Sequence, residues 1–251
     1  MDNEHIQLGK WTKKDLDHLL AEATSIAQIG PRIAFISGQF LGTPYKESTL
    51  IGNADTHEVF TINLEAMDCF TYLDYVEAMR LSDSYSRFKV NLKRIRYYSG
   101  KVAYTHRNHF FTDWREQNPS VTDVTGEIGR GRARVVPKRL NEKTDGTYFM
   151  TAIPIAERDV TYIPAEAIDN VVIDSLQTGD YVGIYAEAAG LDVSHVGIII
   201  KDRDATYMRH ASSAPSQRKV VDDDLKLYMR DRPGIVALRP RTETPPRTSG
   251  Q

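Results

Sequence analysis

The stretch EAMDCFTYLDYVEAM, residues 65–79, carries the only cysteine of a 251-residue chain, Cys69, and the fold is read from it. Behind the cysteine, Leu73, Val76, Ala78, Met79 and Leu81 recur at helical spacing, which predicts a helix with a buried apolar face. Asp68 is the residue type that caps such a helix, so Cys69 falls in its first turn. A free cysteine is often no more than buried packing. A thiol at a helix N-terminus beside an imidazolium is a different object, because both neighbours favour its anion and lower its pKa. Filler or nucleophile, Cys69 is decided by whether a histidine elsewhere in the chain returns to it.

Upstream, HEVFTINL (57–64) alternates as a strand would and leads into that helix. Nearer the start, Leu16, Leu19, Leu20, Ala23 and Ile26 predict an amphipathic helix from Thr12, its N-cap, to Ile29, with Gly30 and Pro31 as the stop. RIAFISGQFLGTPY (32–45) is short and apolar and turns at Gly42, Thr43 and Pro44. Downstream, residues 92–118 are rich in arginine, histidine and aromatics, and residues 126–146 read as loop or hairpin, so both are candidates to line a groove. The last third reads as strands: NVVIDSL (170–176), GDYVGIYAE (179–187), SHVGIIIK (194–201), ATYMRHASS (205–213) and GIVALRPR (234–241). Strands this closely spaced favour an antiparallel sheet. With no internal repeat and no dividing linker, residues 1–240 are expected to form one domain and 241–251 a disordered tail.

Composition excludes several classes. Apolar residues at 41% can fill a core, and a formal net charge of −2 exerts no general pull on nucleic acid or anionic lipid. One cysteine makes no intramolecular disulfide and no thiolate-rich metal site. No run approaches the roughly 18 apolar residues of a spanning helix, so no membrane insertion is expected. The polar N-terminus lacks the features of a signal peptide, and no cofactor motif is present.

Two of the seven histidines lie inside predicted strands of the C-terminal sheet. In SHVGIII, period two sets His195, Gly197 and Ile199 on one face and Val196, Ile198 and Ile200 on the other. His210 follows 15 residues later (210 − 195), which fits a hairpin turning at Lys201–Asp204. It can then bond the second ring nitrogen of His195 and fix its tautomer. A cysteine at a helix start followed by two histidines on neighbouring strands forms a coherent Cys-His-His relay.

In that order, LGTPY (41–45), MDC (67–69), SHVGIII (194–200) and RHASS (209–213) resemble the papain-like NlpC superfamily of cell-wall hydrolases. LGTPYKESTL (41–50), DCFTYLDYVEA (68–78) and the HFFTDW segment from His109 to Trp114 resemble its N-acetylmuramoyl-L-alanine amidase-like branch; DCFTY in place of the commoner DCSG agrees with that branch. The resemblance implies an α+β, papain-like NlpC-type fold, with the nucleophile-bearing helix packed on a mostly antiparallel sheet, plus an extra N-terminal helix and a central insertion. It implies a cysteine amidase that hydrolyses the N-acetylmuramoyl-L-alanine bond of peptidoglycan or its muropeptide fragments through a thioester. Cys69 would be the nucleophile, His195 the proton carrier and His210 its orienting partner. Tyr45, by its place in the motif, would hold substrate or donate to it; Phe111 and Trp114 would stack on a sugar face, with Arg107 or Asp113 bonding its substituents. Arg209, beside His210, alternates to the other strand face and is discounted. The family's usual compartment is the periplasm or cell envelope.

Three rival readings stand beside this one. An endopeptidase of the same superfamily, cutting after γ-D-glutamate, would keep the same three reactive residues. A zinc hydrolase would use His106, His109 and Asp113 but lacks the usual HExxH acid. A wall-binding module would keep the fold without turnover.

Overall fold

The computed structural model describes residues 4–203 and 205–242. β1 (Glu4–Gln7) leads to α1 (Lys13–Ser25), which starts at a capping box: the Asp15 N–H donates to Thr12 Oγ1 at 3.2 Å and the Thr12 N–H to Asp15 Oδ2 at 2.8 Å. Leu16, Leu19, Leu20 and Ala23 form its buried stripe. The expected run to Ile29 ends instead at Ser25. A second helix, α2 (Ile29–Gly38), begins where a stop was expected, because Pro31 sits in its first turn, where a missing N–H costs nothing. β2 (Phe60–Asn63) pairs in parallel with β1.

The cysteine segment forms α3 (Cys69–Arg80), in which every side chain from Thr71 to Arg80 is buried. α4 (Tyr85–Arg96) covers it; the first residues of the arginine-rich run, Leu92 to Arg96, continue this helix, while His109 to Phe111 of the same run line a cleft, as expected. After α5 (Phe111–Gln117), β3 (Val121–Asp123) and α6 (Thr125–Gly129), β4 (Arg134–Leu140) and β5 (Ala156–Pro164) form a hairpin whose first strand lies in the stretch read as loop or hairpin. NVVIDSL, expected as a strand, is helix α7 (Asn170–Ser175). Asp169 caps it by accepting from Val172 N at 3.0 Å, and it buries two adjacent residues, Val172 and Ile173, which strand alternation would have split between faces.

The remaining elements are β6 (Tyr181–Tyr185), β7 (Val193–Lys201), β8 (Thr206–Ala211), β9 (Val220–Asp224), α8 (Leu225–Tyr228) and β10 (Gly234–Pro240). Among the described residues eight strands form one sheet, in order β4-β5-β10-β6-β7-β8-β9 with β3 also on β10, and every pairing is antiparallel. Mixed α and β structure on a mostly antiparallel sheet is the expected class. On one side Tyr181, Val196, Ile198 and Val236 meet Leu73, Val76 and the other helical residues of α1 to α5; on the other, Val182, Ile184, Ile199 and Met208 meet α6 to α8. Of the expected tail, Arg241 and Thr242 are described, and residues 243–251 lie outside the described residues.

Glu77 fastens α3 to this sheet. Its buried carboxylate accepts from Arg80 Nε at 2.7 Å and Nη2 at 2.6 Å, from the Tyr181 hydroxyl of β6 at 2.7 Å and from the Ser120 hydroxyl. From Glu77 back to Cys69 the helix rises about 12 Å. Tyr181 pairs with Ile198, and from there back to His195 the strand covers about 10 Å. Cysteine and histidine are thus carried nearly equal distances from one anchor. Glu77→Ala strands the buried Arg80 guanidinium and is expected to cost about 3–5 kcal/mol, measured by urea denaturation; a loss below about 1 kcal/mol, the range of a surface pair, would show that Glu77 anchors nothing.

Candidate active site

Cys69 opens α3 as expected. The Asp68 carboxylate accepts from Phe70 N at 3.0 Å and Thr71 N at 2.8 Å, and the Thr71 hydroxyl closes the box on Asp68 N at 3.1 Å. The half-buried thiol shares a cleft of about 140 Å³ with His195. Phe70, His109, Phe110, Phe111 and residues 191–196 complete its walls. The register between β7 and β8 ends at Ile198–Arg209, and beyond that point the Val196 backbone N–H lies near enough to the Cys69 sulfur to favour its anion. Where the two strands part, a helix on one face of the sheet meets a histidine that alternation assigns to the other.

Behind His195 runs a chain of hydrogen bonds. His195 Nε2 and His210 Nδ1 are 2.7 Å apart, and His210 Nε2 lies 3.0 Å from Asp223 Oδ2. Gln217 Nε2 donates to Asp223 Oδ1 at 2.9 Å, and the Ser212 hydroxyl donates to Gln217 Oε1 at 2.5 Å. An ionised carboxylate only accepts, so His210 carries its proton on Nε2. Burial lowers the pKa of His210, which is therefore neutral with a bare Nδ1, and His195 donates to it through Nε2. That leaves His195 Nδ1 as the unprotonated nitrogen. One carboxylate on β9 thus sets the tautomer of a ring two strands away.

The electrostatics reverse one expectation. Burial pushes the Cys69 thiol up to about 12, with Asp68 adding to it, and outweighs the N–H groups of Val196, Cys69 and Phe70 that favour the anion. Burial also lowers His195 to about 3; the charge of Arg232 adds to this and that of Asp223 opposes it. The resting pair is a neutral thiol beside a neutral imidazole, because the helix N-terminus does not compensate for lost water.

The other expected residues divide. Tyr45 stands beside the thiol: burial and the charges of Cys69 and Asp68 raise its pKa to about 12, while the Arg218 guanidinium lies 4.7 Å from its ring centroid. Phe111 lines the cleft, and Gly183 makes room for it, since a Cβ there would fall 2.8 Å from its ring. Trp114 is fully buried, edge-on to Tyr181 at 5.0 Å, so it offers no face to a sugar. Asp113 caps α5 through Phe110 N at 3.3 Å and pairs with Arg158 at 3.1 Å, and Arg107 is a fork on Glu58; neither is free for a sugar hydroxyl. Arg209, discounted, grips Asp222 with two bonds of 2.7 Å and reaches the Ala34 carbonyl of α2 at 3.0 Å. His109 bonds the Tyr104 carbonyl at 2.8 Å, and among the described residues no group of three His, Cys, Asp or Glu is placed to hold a metal ion.

Sequence reasoning missed Asp223, Gln217 and Ser212. VVDDD (220–224) carries the usable signal: read as a strand beside RHASS, it pairs Arg209 with Asp222 and brings Asp223 to the face of His210. It also missed Lys138, whose ammonium holds the wall of the cleft by donating to the carbonyls of Ala186, of Ala188 at 2.9 Å and of Leu191 at 2.9 Å. The adjoining Asp192 takes the Thr112 N–H at 2.7 Å.

A family model described as AmiA-like, N-acetylmuramoyl-L-alanine amidase-like, matches residues 35–235. Among solved structures, a protein from Legionella pneumophila is 24% identical with a TM-score of 0.77, the match covering 93% of this chain and 95% of that one. An N-acetylmuramoyl-L-alanine amidase from Bacteroides uniformis is 29% identical with a TM-score of 0.71, covering 86% of this chain and 100% of that one. No curated protein sequence matches the chain.

A neutral resting pair predicts slow alkylation of Cys69 by iodoacetamide at neutral pH, its rate climbing with pH toward the thiol's titration near 12. A rate that is fast and level down to roughly pH 5 would instead reveal a preformed thiolate–imidazolium pair.

Proposed function

The chain belongs to the AmiA-like, N-acetylmuramoyl-L-alanine amidase-like family, and from that premise we propose that it is a cysteine amidase of the papain-like NlpC type. Its substrate is the amide between the lactyl carbonyl of N-acetylmuramic acid and L-alanine, in peptidoglycan or its fragments, and its place of action is the periplasm or cell envelope, where that substrate is found. The observation that carries this reading is the hydrogen-bonded string Asp223–His210–His195, which leaves a bare imidazole nitrogen in the cleft that holds the chain's one thiol.

The chemistry follows from the protonation states. His195 Nδ1 takes the thiol proton as Cys69 Sγ bonds to the carbonyl carbon, so thiolate forms in the attack rather than before it. The Cys69 N–H at the helix start donates to the oxyanion. His195 then passes its proton to the nitrogen, the C–N bond breaks, and an amine beginning with L-alanine leaves. Water attacks the thioester with His195 again as base, the S–C bond breaks, the proton returns to sulfur, and a muramic carboxylate is released. Each time His195 becomes cationic, His210 and Asp223 stabilise it through the same string, which offsets the burial that disfavours that charge. Tyr45, beside the thiol, holds the substrate against it.

Mass spectrometry of products from a defined muropeptide tests the bond. A free peptide beginning with L-alanine is expected; a released peptide beginning with the diamino acid would show an endopeptidase. Cys69→Ala and His195→Ala are expected to lower kcat by at least about a thousandfold, and His210→Ala by about a hundredfold. Wild-type and Cys69→Ala proteins that bind wall fragments alike, with turnover in neither, would show a binding module.

A further inference from the structure

α8 ends against the histidine pair. The ring centroid of Tyr228 lies 5.1 Å from that of His210 and 6.4 Å from that of His195. On the same ring rests the guanidinium of Arg232, 4.9 Å from the centroid. Arg232 is exposed, and no carboxylate pairs with it among the described residues. The other arginines around the site are committed: Arg209 to Asp222, Arg218 to Glu47, Arg158 to Asp113 and Arg107 to Glu58. Asp223, the acid of the relay, already accepts from His210 and Gln217.

An unpaired cation in this place works against the chemistry. The charge of Arg232 disfavours protonation of both His195 and His210, yet the reaction must put a proton on His195 twice. A ligand anion that paired with Arg232 would remove that field. The half of the substrate that lies along His195 is the amine half, because His195 hands its proton to the leaving nitrogen. In a muramyl peptide the residue after L-alanine is a γ-linked glutamate, whose free α-carboxylate stands a few bonds beyond that nitrogen.

We propose that Arg232, held on Tyr228, binds a carboxylate on the amine-side peptide of the substrate and selects for acidic over amidated peptides. The proposal rests on the amidase reading above and assigns that site a substrate preference. Planar pairing of guanidinium and carboxylate supplies the selectivity, and neutralising Arg232 couples recognition to the basicity of His195.

Two muramyl dipeptides that differ only at the glutamate α-carboxyl, free acid or primary amide, are compared by kcat/KM with wild-type protein, R232K and R232Q. The wild type is expected to prefer the free acid by on the order of tenfold to a hundredfold. R232K keeps part of that preference, since it keeps the charge without the fork, and R232Q brings the ratio to about one. A wild-type ratio near one, or a ratio unchanged in R232Q, overturns the carboxylate site and leaves the amidase reading standing. Release of L-alanyl peptide from neither substrate by the wild type overturns the amidase reading and this inference with it. Arg232 is exposed, so both variants are expected to fold, and the wild-type ratio with R232K still decides the matter if R232Q does not.

Discussion

One buried carboxylate sets the geometry on which the site depends. Glu77 takes hydrogen bonds from its own helix through Arg80, from the sheet through Tyr181 and from the segment before β3 through Ser120. A carboxylate in an apolar interior is tolerated only when its charge and lone pairs are answered, so these partners cannot shift independently. The helix that carries Cys69 is therefore pinned in rotation and along its length against β6. Because β6 pairs with β7 through Tyr181 and Ile198, the pin also fixes where His195 stands.

The same exclusion of water that makes the anchor strong governs the chemistry. It lowers the basicity of His195 and raises the pKa of Cys69, so the resting site holds no separated charges. In the proposed reaction charge appears only as substrate reacts, and the relay to Asp223 lies where that charge would arise. Such a site resembles a hydroxyl nucleophile with its base more than a preformed thiolate pair. Tyr228 packs against both imidazoles of the relay and carries Arg232 on its ring, a cation that no carboxylate pairs among the described residues.

Much of this was legible in the primary structure because local rules were in force. Asp68 and Thr71 announce a helix start, and SHVGIIIK and ATYMRHASS alternate strongly enough to predict a hairpin whose two histidines meet. The readings that failed did so where tertiary packing overrides pattern. Trp114 looks like an exposed platform in a polar, aromatic stretch, yet it fills the space between α5 and Tyr181. NVVIDSL has strand propensity, but a cap at Asp169 and a need to bury two adjacent residues made it a helix. Asp113 and Arg107 have the chemistry to bind a sugar and are consumed by ion pairs that composition does not reveal.

Residue order alone placed Cys69 at a helix start and His195 and His210 on the two strands of an antiparallel hairpin, because each follows from spacing of a few residues along one element. Contacts between elements far apart in the chain supplied the rest: Asp223 behind His210, the parting of β7 and β8 that lets Cys69 reach the face of His195, and the neutral charge state of the pair. Those depend on how much water the packed elements exclude and on which strands lie side by side, and neither quantity is a property of any short run of sequence.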